Sequence, residues 1–178
     1  GERGSAEDTV GGRVGYVGPR PAPWGVDVDG VRVGVIMGED VWFAQPALAA
    51  RDAGAELIVV ANGSPYHTKQ QALRLAQLRA RARETARPFL YVNRVGGQDE
   101  LVFDGASFAL AADGTVAQQL PAWHEAVALA TFDGGAWRHV GGALDTDLEA
   151  HVYPALVMGV RDYVDKNGFP GVVLGLSG

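Results

Sequence analysis

Residues 31–42, with the sequence VRVGVIMGEDVW, form the chemically most informative pattern in this chain. The apolar run predicts a buried strand, and the Gly-Glu-Asp sequence that follows predicts a turn into a helix. A sharp strand-to-helix turn exposes a rigidly held side chain close to backbone N–H groups that can stabilise an oxyanion, so hydrolytic α/β enzymes often carry a nucleophile there. The residue at this turn is Gly38, which has no side chain. The pattern therefore predicts a hydrolase-type site that lacks its reactive atom.

Four strands and two helices are predicted to position this turn. Alternating residues around Asp29 and Gly30 predict a hairpin that leads into the strand at 31–37. A helix over 43–53, with Pro46 in its first turn, and a strand over 56–62 follow. A strand, helix and strand in succession predict parallel pairing with a right-handed crossover. A longer helix over 69–86 and a strand over 88–93 extend the pattern.

The helix at 69–86 has an expected apolar face and a set of charged residues mostly off that face. The apolar set is Ala72, Leu75, Ala76, Ala82 and Ala86. The charged set is Arg74, Arg81, Arg83 and Glu84. These arginines predict a solvated outer face, and a role in binding anions is the alternative.

The second half of the chain is richer in β-structure. Strands are predicted over 100–103, 107–111, 116–120 and 126–132, so the sheet should begin parallel and finish antiparallel. After a glycine-rich linker, Thr146 and Glu149 fit a capping box at the start of a helix, which Pro154 should kink or split. Residues 169–178 predict one more buried strand.

Composition limits the possible functions. The chain has 178 residues, 47% of them hydrophobic, which is enough for a soluble domain with a core. Its net charge of -6 argues against nucleic-acid partners, and no apolar run is long enough to predict a membrane span. The polar, glycine-rich start does not resemble a signal peptide, so we expect a cytoplasmic protein.

The chain has no cysteine and four histidines. Disulfides, thiolate metal sites and a thiol nucleophile are therefore excluded for the chain as it stands. The histidines, His67, His124, His139 and His151, show no metal-binding spacing, and we expect no metal site.

Four segments together resemble glutamine-dependent NAD synthetase, a family that joins a nitrilase-like glutaminase domain to an ATP-pyrophosphatase synthetase domain. They are GVIMGEDVW at 34–42, NGSPYH at 62–67, YVNRVGGQDELVFDG at 91–105 and RDYVDKNGFPGVVLGLSG at 161–178. Single pieces such as Gly-Glu-Asp are common, but the four in this order are specific. The resemblance begins at about Tyr16 and continues to the last residue.

The resemblance implies an internal segment of a longer protein with an α/β fold. Residues 16–140 would be the later part of a nitrilase-like α-β-β-α sandwich, incomplete at its N-terminal side. Residues 141–178 would be a linker helix and the first strand of the synthetase domain. Residues 1–15 have no match. Ser177 and Gly178 would begin the family's nucleotide-binding loop.

The family's glutaminase is similar to nitrilases in using a Glu-Lys-Cys triad, in which the cysteine attacks the amide carbon. The resemblance places Gly38 at the position of that cysteine, and this is the chief departure from the family pattern. The glutamate and lysine lie upstream of the matched region, and neither has a counterpart here. We therefore expect this segment to be inactive.

The resemblance also implies residues that contact glutamine. Glu39, Trp42 and Ser64 match such positions, and a zwitterionic ligand needs an acceptor for its ammonium group and donors for its carboxylate. Glu39 could instead cap the following helix, and Trp42 could be a core residue. The family's basic residue six positions after Ser64 is replaced by Gln70, with Lys69 beside it.

The implied parent protein would hydrolyse glutamine and use the ammonia to amidate deamido-NAD, with ATP and Mg²⁺ as its cofactor and metal. We expect a homo-oligomer without nucleic-acid or membrane partners. The alternative is a catalytically dead nitrilase-like module that binds a ligand or mediates oligomerisation. A third class, another nitrilase-type amidase, would require a cysteine at position 38.

Overall fold

The computed structural model describes residues 9–10, 13–14, 24–138 and 148–177. Its centre is a six-stranded sheet in the order β10-β9-β6-β5-β4-β3. The bounds of these strands are β3 Trp24–Val28, β4 Val31–Met37, β5 Leu57–Asn62, β6 Phe89–Asn93, β9 Phe108–Leu110 and β10 Val116–Gln119. Three two-stranded pairs complete the β-structure: β1 Thr9–Val10 with β2 Arg13–Val14, β7 Val95–Gln98 with β8 Leu101–Asp104, and β11 Phe132–Asp133 with β12 Ala136–Trp137.

The central sheet is parallel in its middle and antiparallel at both sides. Strands β4, β5 and β6 are parallel neighbours, whereas β3 pairs antiparallel with β4 and β9 antiparallel with β6. Asp29 and Gly30 both have positive φ at the β3–β4 turn, as a two-residue hairpin requires. The predicted hairpin and parallel strand–helix–strand unit are therefore confirmed.

Two helices, α1 Ala44–Asp52 and α2 Gln70–Thr85, cover one face of the sheet. Small residues of α1 lie against the strands, and a Cβ at Gly34 would come within 3.1 Å of the Ala50 Cβ. This close approach explains why a glycine interrupts the apolar residues of β4. The core between the layers includes Ile36, Val41, Ile58, Val60, Leu78, Ala82, Phe89, Tyr91, Phe108 and Leu110.

The predicted apolar face of α2 was partly wrong. Arg74 and Arg81 are buried, whereas Ala72, Ala76 and Ala86 are exposed. Arg74 can lie on the inner side of the helix because Asp104 and the Ser64 carbonyl accept its hydrogen bonds. These contacts offset the cost of burying its charge. Arg81 keeps an ion pair with Glu84 at 2.9 Å.

The second face of the sheet carries its own apolar cluster. Leu57, Ala109, Ala117 and Trp137 are its buried members, and the Trp137 indole N–H donates to the Leu110 carbonyl at 2.8 Å. A cavity of about 550 Å³ lies along this face. The strand predicted over 126–132 was wrong: only Phe132 joins a strand, and residues 124–131 are exposed without regular structure.

The helix α3, Leu148–Lys166, packs against the β7–β8 hairpin. Asp162 accepts a hydrogen bond from the Gly97 N–H at 2.6 Å, and Lys166 donates to the Gly97 carbonyl. The helix continues through Pro154, so the predicted split is wrong, whereas the alternative kink stays a prediction. No helix in the described part of the chain, α3 included, is long and apolar enough to cross a membrane.

The buried strand predicted over 169–178 was also wrong. Residues 169–177 form no strand, and Val172, Val173 and Leu176 are largely exposed. No strand in the described ranges pairs with this segment, so its apolar pattern has no sheet to join. Thr146 of the predicted capping box and Gly178 lie outside the described residues.

The contact between Asp162 and Gly97 predicts acid sensitivity in the docking of α3. Burial tends to raise the pKa of Asp162, but the Gly97 N–H and the charges of Arg161 and Lys166 outweigh it, so this pKa lies below its ordinary value of 3.8. A lowered folded-state pKa stabilises the fold above the unfolded-state pKa, and this stabilisation is lost as pH falls through the folded-state value.

The substitution Asp162→Asn should therefore lower the free energy of unfolding near neutral pH, and this loss should shrink as pH falls below about 4. Urea unfolding of both proteins between about pH 7 and pH 2 measures this difference. Asp165→Asn, an exposed change on the same helix, is the control. A deficit for Asp162→Asn that stays constant with pH would contradict this assignment.

Candidate functional site

The candidate site lies at the carboxyl edge of the three parallel strands. Met37 is in register with Ala61, and Asn62 is in register with Asn93, so β4, β5 and β6 end side by side. Open α/β sheets bind ligands at this edge. Gly38 directly follows β4, and Ser64 lies two residues beyond β5. The sheet thus brings the segments that carry these two residues onto neighbouring strand ends.

Gly38 occupies a bend with space for a side chain. Its φ is +56°, in the left-handed region that glycine adopts without the strain imposed by a Cβ. A Cβ at this position would have no described atom within 4 Å outside its two chain neighbours. Residue 38 is partly exposed and begins a 3₁₀ turn, Gly38–Trp42. A side chain at this position would therefore project into open space at the sheet edge.

The two other predicted contacts near this bend differ in environment. Glu39 is exposed in the 3₁₀ turn, and no side-chain cap hydrogen bond is present at the start of that turn or of α1. Capping therefore does not explain Glu39. Trp42 is partly buried and packs against the core between the sheet and the helices. This packing is the core role that the sequence left open for Trp42.

Ser64 is buried in a network of hydrogen bonds. Its side-chain Oγ accepts from Gln70 Nε2 at 3.0 Å and from Arg74 Nε at 3.1 Å. Its backbone N–H donates to Asn93 Oδ1 at 2.9 Å. The loop after β5 is thus fastened to α2 on one side and to the end of β6 on the other.

The centre of this network is a buried ion pair between Arg74 and Asp104. Arg74 Nη1 lies 2.7 and 2.8 Å from the two carboxylate oxygens, and both side chains are at most 2% exposed. Arg74 Nη2 donates to the carbonyls of Ser64 and Pro65 at 2.7 and 3.2 Å. Together with the bond to Ser64 Oγ, these contacts give an acceptor to each of the five guanidinium N–H groups.

The hydroxyl of Tyr91 lies beside this network. The phenol is buried, and its oxygen makes no hydrogen bond of ordinary geometry to a described residue, although the Ser64 and Asn62 side chains lie close enough to lower its pKa. Burial raises the pKa of Tyr91, and the positive charge of Arg74 opposes this only in part. The phenol is therefore neutral at physiological pH, and its ring stacks on Phe108 with centroids 5.0 Å apart.

The remaining predicted positions do not join this site. Ser177 is exposed in the segment after α3, and Gly178 lies outside the described residues. The described ranges contain no group of three or more His, Cys, Asp or Glu side chains that could hold a metal ion.

Sequence reasoning missed Arg74, Asn93 and Asp104. A charged residue in a helix is ordinarily solvated, and an Asp before a glycine ordinarily marks a turn. One available signal was the spacing of ten residues from Ser64 to Arg74, since it places the arginine one turn beyond Gln70 on the same helix.

Residues 6–140 match the family described as carbon-nitrogen hydrolase. The chain belongs to the carbon-nitrogen hydrolase family. It is 49% identical over 153 residues to a glutamine-dependent NAD(+) synthetase of Rhodobacter capsulatus, and the match covers 83% of this chain. It is 43% identical over 160 residues to one of Xanthomonas campestris pv. campestris, covering 86%. The chain spans 28% of the length of each of these curated relatives.

Solved structures of related proteins share the fold of this carbon-nitrogen hydrolase chain. A glutamine-dependent NAD+ synthetase from Acinetobacter baumannii, in complex with ADP, superimposes with a TM-score of 0.83 at 34% identity, covering 90% of this chain and 31% of that one. An amidase of the nitrilase superfamily from Nesterenkonia gives 0.55 at 26% identity, covering 61% and 40%. The predicted nitrilase-like α/β fold and the resemblance to NAD synthetases are confirmed. The domain boundaries stay predictions.

Removing Arg74 should strongly destabilise the fold. Arg74→Met leaves the Asp104 carboxylate buried without its partner, and breaking such a pair costs about 3–5 kcal/mol. Urea unfolding measures the loss, and the double variant Arg74→Met/Asp104→Leu should recover part of it because neither charge remains. A single variant as stable as the original chain would contradict the buried ion pair.

Removing the Tyr91 hydroxyl, in contrast, should not destabilise the fold. Tyr91→Phe keeps the stacked ring and deletes an oxygen that makes no hydrogen bond of ordinary geometry, so the free energy of unfolding should stay within about 0.5 kcal/mol or rise. The same unfolding experiment measures it. A loss above about 1.5 kcal/mol would show that this oxygen makes a stabilising hydrogen bond.

Proposed function

We propose that this chain is a portion of a glutamine-dependent NAD(+) synthetase. The parent protein would hydrolyse glutamine and use the ammonia for ATP-dependent amidation of deamido-NAD. The support is the similarity to named NAD(+) synthetases over more than four-fifths of this chain. Because the chain spans only 28% of those relatives, the complete reaction belongs to a longer protein.

The observation that carries this proposal is the open bend at Gly38. The structure of a Nesterenkonia amidase shows covalent addition of a ligand fragment at its active-site cysteine, and that protein shares the fold at 27% identity with a TM-score of 0.53. We assign Gly38 to the equivalent nucleophile position. Glycine has no atom that can attack an amide carbon, so no thioester forms and no ammonia is released. The segment is inactive as a glutaminase in consequence.

The ligand-holding part of the glutamine site is retained in this proposal. Glu39 is exposed beside the bend and would accept the ammonium group of glutamine. Ser64 would donate to the carboxylate. Trp42 packs against the core, and its contact with glutamine stays a prediction. The glutamate and lysine of the family triad have no counterpart in this chain.

The second reaction of the parent protein would need ATP and Mg²⁺. This chain would contribute Ser177 and Gly178 to the start of the nucleotide loop. Residues 169–177 are exposed and carry no turn that could surround a phosphate, so they do not form a nucleotide site by themselves. No step through ATP or Mg²⁺ is assigned to this chain, and assembly of the parent into a homo-oligomer stays a prediction.

A catalytically dead binding or oligomerisation module is the second candidate. The observation that favours it is a set of solvent-exposed apolar side chains along α3. Its largely exposed members are Tyr153, Leu156, Val160 and Tyr163. Exposed apolar patches of this kind mark surfaces that are covered in a larger assembly. Under both candidates this chain hydrolyses no glutamine, so an activity assay does not separate them. Recognition of a glutamine-shaped ligand at residue 38 does, because the first candidate requires it.

The chain itself should show no release of ammonia from glutamine above the buffer rate. A thiol restored by Gly38→Cys should react with a glutamine-shaped chloroketone, which carries the amino-acid end of glutamine. We divide the rate of this reaction by the rate of the same thiol with iodoacetamide, because the ratio corrects for differences in thiol exposure. Gly30→Cys is the matched control because residue 30 also has positive φ, at +83°, and no described atom within 4 Å of a Cβ outside its chain neighbours.

The proposal predicts a relative rate at least about tenfold higher for the thiol at position 38 than for the thiol at position 30, the size of one hydrogen bond to a charged group. Equal relative rates would favour the module. Measurable glutamine turnover by the unmodified chain would contradict the assignment of Gly38.

A further inference from the structure

A small cavity lies between the start of α2 and helix α3. Its volume is about 340 Å³, at the lower end of the range of ligand pockets. Its walls include Tyr66, His67, Thr68, Lys69, Gln71 and, from α3, His151. No residue assigned to glutamine binding is among its described walls. The cavity is therefore separate from the candidate site at the sheet edge.

Gln71 places an unpartnered polar group at this cavity. The residue is 7% exposed, and its side-chain Nε2 makes no hydrogen bond to a described residue. Gln70 and Arg74, one turn apart, both donate to Ser64 Oγ instead. Since successive helix residues point about 100° apart, Gln71 projects to a different side of α2 from that contact. Buried amide groups in proteins are nearly always bonded, so the Gln71 amide requires a partner that the described residues do not supply.

The first turn of α2 adds backbone donors beside this amide. Two N–H groups of the turn bond to carbonyls just before it, whereas those of Gln71 and Ala72 have no acceptor among the described residues. Both residues line the cavity. The helix has 16 residues, and the positive end of its dipole lies at this turn. The helix start thus supplies donors and a favourable field for an anion.

The side chains around the cavity also favour an anion. Lys69 contributes a positive charge. Its N–H donates to His67 Nδ1 at 3.4 Å, so Nε2 carries the proton of the neutral His67 ring. Burial, and then the charge of Asp104, raises the pKa of Tyr66, so its phenol keeps a proton that it can donate. No carboxylate is among the described walls.

We propose that this cavity binds a small oxyanion, a phosphate group held by Lys69, the Gln71 amide and the first turn of α2. Phosphates bind at helix N-termini because several N–H groups reach their oxygens, and a lysine adds charge-assisted hydrogen bonds. The site goes beyond glutamine binding and does not depend on it. Because His151 of α3 forms part of the wall, a bound phosphate would lie where the start of α2 meets α3.

Titration of the unmodified chain with inorganic phosphate tests this by NMR, at constant ionic strength so that charge screening does not change. The side-chain amide of Gln71 and the backbone N–H groups of Gln71 and Ala72 should shift together and saturate. The expected Kd is about 1 mM or lower, as a few charge-assisted hydrogen bonds provide. The side-chain amide of Gln70 is the internal control, because it is already bonded to Ser64. No saturable shift at Gln71 would overturn the proposal.

Two variants test the residues that hold the phosphate. Gln71→Leu should weaken phosphate binding at least about tenfold. Without phosphate it should leave the urea midpoint unchanged or raised, because it removes a buried polar atom that has no described partner. Lys69→Met, an exposed change, should weaken binding at least about fivefold. A lowered midpoint in Gln71→Leu with unchanged phosphate binding would overturn the role of the amide.

Arg83→Met is the matched control for charge. It removes one positive charge from the other end of the same helix and should change phosphate binding less than about twofold, since the distance exceeds the screening length. Equal losses in Lys69→Met and Arg83→Met would show general attraction of anions and overturn the site.

Glycerol phosphate distinguishes the two sources of a phosphate group. Tighter binding than that of inorganic phosphate would assign the cavity to a phosphate ester, and equal or weaker binding would assign it to free phosphate. Either result supports the oxyanion site. Displacement of bound phosphate by glutamine would overturn it, because both ligands would then occupy one site.

Discussion

The buried pair of Arg74 and Asp104 is the interaction on which the candidate site depends. It joins three parts of the chain that are distant in sequence: helix α2, the loop after β5 and the end of β8. A buried charge is tolerated only when it is paired and hydrogen-bonded, and here all five guanidinium N–H groups have acceptors. The pair therefore fixes the loop that carries Ser64, and it does so without leaving net charge at the site.

The sheet determines where this fixed loop lies. Three parallel strands end at one edge, so the bend at Gly38 and the loop of Ser64 are on neighbouring strand ends. Gly38 at this edge is open and has no reactive atom, whereas Ser64 is buried and held by hydrogen bonds from Gln70 and Arg74. Under the proposed function, the chain keeps the elements that hold glutamine and lacks the atom that attacks it.

Periodicity and turn chemistry predicted the central sheet correctly. Alternation around Asp29 and Gly30 predicted the hairpin, and short apolar runs separated by a helix predicted the parallel strands. Pattern could not predict the inward Arg74, because its partners Asp104 and Ser64 are 30 and 10 residues away. It also failed for 126–131 and 169–177, where apolar residues have no neighbouring strand among the described residues. A strand needs a partner as well as a pattern.

The central claim is that residue 38 and Ser64 face one ligand. A crystal structure of the Gly38→Cys chain after reaction with the glutamine-shaped chloroketone tests this most directly. The account predicts an adduct whose carboxylate lies at hydrogen-bond distance, about 2.7 Å, from Ser64 Oγ, with the contacts of Arg74 unchanged. An adduct whose carboxylate points into solvent, or an introduced thiol at position 38 that is directed into the helix layer, would contradict it.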